Sequence, residues 1–72
     1  MKLRKHKKLN KKIQRKRLAR MARFQRTTLR LTMRDLAQIA GVSASKICRL
    51  EQGKPIDDQV DVYNIFIALE LI

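Results

Sequence analysis

The two glycines and the single proline of this chain, Gly41, Gly53 and Pro55, all fall within a window of fifteen residues. Both residue types interrupt helices, so this window is cut into short pieces. The local signals beside the breaks say what those pieces are. Thr32 stands before Met33-Arg34-Asp35, and Thr-x-x-Asp ahead of an apolar pattern is a capping-box start. Leu36, Ala37 and Ala40 then share a face, and Gly41 supplies the left-handed residue that ends a helix, which predicts a helix over 33–40. Ser43 is a second N-cap, and Ala44 to Gln52 form the next helix with Ile47 and Leu50 inward. Gly53 closes that helix and Pro55 prevents its resumption. A last helix runs from an Asp57 or Asp58 cap to about Leu71. Its inward positions are Val62, Ile65, Phe66 and Leu69, with Tyr63 at the edge. Asp57, Asp58 and Asp61 suit the positive end of its dipole. No period-two strand pattern occurs, so an all-α fold is expected.

Charge divides the chain in two. Residues 1–34 hold fifteen Lys or Arg and no acid, whereas residues 35–72 hold three basic residues and all six acids. So dense a block of like charge reads as an interaction arm over residues 1–16, able to turn helical on a partner. From Arg17 onward Leu18, Ala22, Arg26 and Leu29 recur on one helical face, with Met21 alongside, and predict a helix over 17–29. The partner matching such an arm is a polyanion, because each neutralised phosphate releases condensed counterions.

Several classes are excluded. At 72 residues there is room for one core. One Cys (Cys48) and one His (His6) allow neither a disulfide framework nor a Cys/His zinc site; Cys48 reads as a partly packed thiol and His6 as a solvated side chain. The longest apolar run, Ile65 to Leu69, is too short for a membrane span, and no apolar stretch follows the basic start as in a secretory signal. Residues 1–26 lack the serines of a mitochondrial presequence. No paired carboxylates, nucleophile–base set or Gly-rich phosphate loop is present, so no enzyme, cofactor or metal is expected.

The connection Ala40-Gly41-Val42-Ser43 is too short for an antiparallel hairpin and makes the helices on either side cross steeply, as in a helix-turn-helix. The stretch L-T-M-R-D-L-A-Q-I-A-G-V-S-A-S-K-I-C-R-L-E-Q-G-K, Leu31 to Lys54, resembles the Cro/repressor-type (lambda repressor-like, XRE-type) helix-turn-helix of phage and bacterial regulators. That family reads approximately L-T-Q-x-x-L-A-x-x-A-G-V-S-x-x-x-I-S-x-x-E-x-G-K. The resemblance implies a small four-helix domain over 17–72, a truncation of the family's five helices, following the basic N-terminal arm. It implies a sequence-specific regulator of double-stranded DNA, a phage or bacterial repressor of the cytoplasm or nucleoid. Base edges would be met by Ala44, Ser45, Lys46 and Arg49. Phosphates would be held by Thr32, Arg34, Ser43 and Lys54, and Arg26 would pair with Glu51. Met33 replaces the Gln with which the family usually contacts a phosphate. The arm, through Lys11, Lys12, Arg15 and Lys16, would take over the lost phosphate contacts. A homodimer would use the last helix and the apolar end, Ile67, Leu71 and Ile72. The alternatives are an antitoxin-type regulator that also binds a toxin protein, and a basic RNA- or ribosome-associated protein.

Overall fold

A run from Lys7 to Gln25 with no Gly, Pro, Ser or Thr, built mainly from Lys, Arg, Leu, Ala and Gln, consists largely of strong helix formers. In the computed structural model, which describes residues 7–72, this run is one continuous helix, α1, Lys7–Thr28. The helix therefore starts ten residues before the predicted Arg17, and most of the expected arm belongs to it. The like-charge repulsion that argued for an arm is weaker than the cost of stopping a helix where no residue favours a break. His6 lies outside the described residues.

Three short helices follow: α2 Met33–Ala40, α3 Ala44–Glu51 and α4 Gln59–Ala68. The described residues contain no strand. The capping box opens α2: the Thr32 hydroxyl accepts from the Asp35 amide and the Asp35 carboxylate accepts from the Thr32 amide, both at 3.0 Å. Hydrogen bonding from Thr32 holds the Asp35 carboxyl below its ordinary range. A carboxyl depressed by folding contributes stability above its unfolded value and loses it as pH falls through the folded one, so the box weakens only in acid. Gly41, at φ 72°, ends α2. Asp58, not Asp57, caps α4 through the Val60 amide at 2.9 Å. That helix stops at Ala68, short of the expected Leu71.

All four helices terminate on a left-handed residue, yet only two of these are glycine. Gly41 and Gly53 serve α2 and α3, while Arg30 (φ 59°) and Glu70 (φ 62°) serve α1 and α4. At both non-glycine ends the paired Schellman bonds form: Leu31 to Arg26 and Arg30 to Thr27, Leu71 to Phe66 and Glu70 to Ile67, at 2.9–3.0 Å.

The core is one cluster of Ala22, Leu36, Ala37, Ile47, Leu50, Ile65, Phe66 and Leu69. Small Ala19 and Ala22 let α1 lie close against α3, and α2 packs against both α3 and α4. Met21, expected on the inner face, is instead 48% exposed, since its position on α1 turns past Leu18 toward the outside. No helix of the described residues is long and apolar enough to cross a membrane.

Candidate nucleic-acid interface

The basis of the site is the seating of α3. Ile47 and Leu50, three residues apart, are buried and fix which side of this eight-residue helix faces outward. Ser43 caps it by accepting from the Lys46 amide at 3.3 Å. Ala44 and Ser45 consequently stand exposed on the first turn, and Arg49 is exposed one turn later. At the far end, Glu51 joins α3 to α1. Arg26 donates from Nε to Oε2 at 2.6 Å and from Nη2 to Oε1 at 2.9 Å. Its Nη1 reaches the Leu31 carbonyl at 2.9 Å. One guanidinium thus ties together α1, the α1–α2 turn and α3. The side chains of Arg26 and Glu51 are only 12% and 4% exposed. The hydrogen bond to Glu51 raises the Arg26 pKa further above its ordinary value, against the opposing desolvation, so the guanidinium keeps its charge.

The long cations of α3 are held more closely than the sequence suggested. Lys46 is half-exposed and its ammonium is paired with Asp61 of α4. The hydrogen bond to Asp61 raises the Lys46 pKa above its ordinary value, with Coulombic support from Asp61, Asp58 and Asp57. A raised lysine keeps its contribution at neutral pH and loses it only in strong alkali. Arg49 spends one Nη2 hydrogen bond on the Pro55 carbonyl at 2.9 Å and, as a five-donor fork, keeps others for an outside acceptor. Of the two cations expected to meet bases, Lys46 is therefore the less available. The sequence marks Asp61 only as a charge at the start of α4, because its pairing with Lys46 joins residues fifteen apart on different helices.

The expected phosphate contacts divide by position. Thr32, Arg34, Ser43 and Lys54 are all exposed, the two hydroxyls also serving as helix caps. Lys12 and Lys16 are exposed on α1, and the Lys16 side chain lies over Gly53 at the end of α3. Arg15, by contrast, turns inward and donates from Nε to the Gly53 carbonyl at 3.2 Å. Lys11 lines a recess with Gln14, Arg15, Leu18, Pro55, Ile56 and Gln59. Arg20 and Arg23, absent from the sequence reading, continue the line of Lys12 and Lys16 at spacings of four, four and three residues. Their spacing was visible, but the helix was expected to begin too late to align all four.

Cys48 is half-buried on α3 and accepts a weak hydrogen bond from Gln52 Nε2 at 3.5 Å. Among the described residues no group of three His, Cys, Asp or Glu side chains is placed to hold a metal ion. Comparison of the chain with protein-family models, with curated proteins and with solved structures found no match.

Proposed function

We propose that this chain is a transcriptional regulator that binds double-stranded DNA as a helix-turn-helix protein, a phage or bacterial repressor acting in the cytoplasm or nucleoid. The observation that carries the reading is the outward face of α3: its first turn is bare and Arg49 is exposed, while Ile47, Leu50 and the Arg26–Glu51 pair hold the helix rigidly. An α-helix presented in this way fits a B-form major groove. Ala44 and Ser45 meet base edges first, with Arg49 suited to a bidentate contact with guanine. Thr32, Arg34, Ser43 and Lys54 flank that face and supply hydroxyls, charge and helix-start amides to the phosphate backbone.

A second copy of the chain completes the reading. Val60, Tyr63 and Ile67 form a line along the outside of α4, opposite buried Ile65, and are 63%, 54% and 44% exposed. A helix apolar on both sides calls for a cover, and this strip carries no charge on a molecule of net charge +12. Two copies joined there would present two α3 helices to half-sites about one helical turn apart.

Selection from a pool of random-sequence duplexes tests both statements. The expected result is a two-fold symmetric site, on which Arg49→Ala loses about 1–3 kcal/mol and relaxes the choice of base at one position per half-site. Recovery of a single, unrepeated half-site would remove the dimer. Equal enrichment of all duplexes, or preference for single-stranded RNA, would remove the regulator.

A further inference from the structure

The two flanks of α3 differ in charge. On one side α1 presents Lys12, Lys16, Arg20 and Arg23, all exposed and all within one stripe, because spacings of four, four and three residues keep them close to one angular position. This stripe is continuous with α3. Lys16, Ala19 and Arg20 line a recess of about 220 Å³ together with Glu51, Gln52 and Gly53 from the end of α3. On the other side stand Asp57, Asp58 and Asp61, whose negative field acts on Lys46. Beyond the stripe, the outer side of α1 holds Asn10, Gln14, Met21, Phe24 and Thr28, with Arg17 about 100° round the helix from the middle of the stripe.

We infer that one sugar-phosphate strand of the nucleic acid runs along α1, over Lys12, Lys16, Arg20 and Arg23, and that the Asp57–Asp61 edge lies outside the footprint. This rests on the reading of α3 as the element that meets the nucleic acid. The stripe rises about 16 Å from Lys12 to Arg23 at 1.5 Å per residue, enough to cover two or three successive phosphates. On the far flank Asp61 is paired with Lys46, and Asp57 and Asp58 share a recess with Lys46 and Arg49, so little uncompensated positive charge is left for the opposite strand and the grip is one-sided. Phosphate binding then depends on where a cation lies around α1 rather than on the net charge of the chain.

The salt dependence of duplex binding by the full chain decides this, with circular dichroism confirming that each variant keeps its helix. Arg20→Gln and Arg23→Gln are each expected to lower the slope of log K against log salt by about 0.9, and the double variant by about 1.8. The double variant should bind roughly ten- to a hundredfold more weakly at 0.1 M salt on every sequence tested. Arg17→Gln removes the same charge from a position about 100° round the helix from the middle of the stripe and is expected to lower the slope by less than half as much as Arg20→Gln. An equal drop for Arg17→Gln and Arg20→Gln would overturn the stripe in favour of diffuse attraction, and an unchanged slope for the double variant would overturn it outright. Should the wild-type chain prefer single-stranded RNA to any duplex, the regulator reading fails. The contrast between Arg20 and Arg17 then still tests the stripe on that strand, at about 0.7 per contact.

Discussion

Replacing Glu51 by alanine is expected to lower the unfolding free energy by about 3 kcal/mol, because it leaves the Arg26 guanidinium half-sequestered and without its counter-charge. At about 0.05–0.15 kcal/mol per residue the whole fold is worth roughly 4–11 kcal/mol. The loss is thus a large fraction, read as a fall of roughly 12–24 °C in Tm. Most of the deficit comes from the orphaned charge and not from the value of the pair itself. An Arg26→Met/Glu51→Leu double variant, which removes both charges and keeps the volume, should recover much of the loss. Glu51→Gln should fall between the two, since its amide oxygen still accepts one hydrogen bond. A Glu51→Ala protein within 0.5 kcal/mol of wild type in urea denaturation would show that the bidentate contact does not hold α3 to α1.

Ile47→Ala is expected to be of similar size, about 3 kcal/mol, for a different physical reason. Ile47 is fully buried, and truncating it costs the transfer of the lost methyl and methylene groups plus the cavity left behind. Ile39→Ala removes the same atoms from a side chain that is 59% exposed, and should stay within about 0.5 kcal/mol of wild type. The pair of variants therefore isolates burial from chemistry. Duplex affinity should fall for Ile47→Ala beyond what the unfolded fraction explains, because α3 loses one of its two anchors. Equal denaturation midpoints for the two variants would refute the packing of α3 described here.

How much of this was legible in the sequence depended on the range of the interaction. Contacts within four residues were readable: Thr32 with Asp35, Ser43 as a cap and the Gly41 and Gly53 turns all follow from local chemistry, and α2 lies where the pattern put it. Over residues 7–16 two local rules conflict: lysine is a good helix former, yet dense like charge favours a disordered arm, and helix formation prevails. The Arg26–Glu51 partnership spans twenty-five residues; no spacing rule reaches that far, and it came from the resemblance alone. Lys46 with Asp61 could not be read at all, because it depends on where α4 lies beside α3. The same limit hid Arg20 and Arg23: their meaning appears only once α1 is known to be unbroken and α3 is known to lie on one side of it.

The spacing of cations along α1 sets the response of this protein to ionic strength in two opposed ways. Lys12, Lys16 and Arg20 repel one another in succession at four-residue intervals, each pair costing a few tenths of a kcal/mol, and no carboxylate stands in the first turn of the helix to offset its dipole. Added electrolyte shields these repulsions, so the melting temperature of the free protein should climb as salt is raised. On the proposed reading, nucleic-acid binding should decline over the same range. On that reading the solutions that make the protein most heat-resistant are those in which a nucleic-acid partner would be held least.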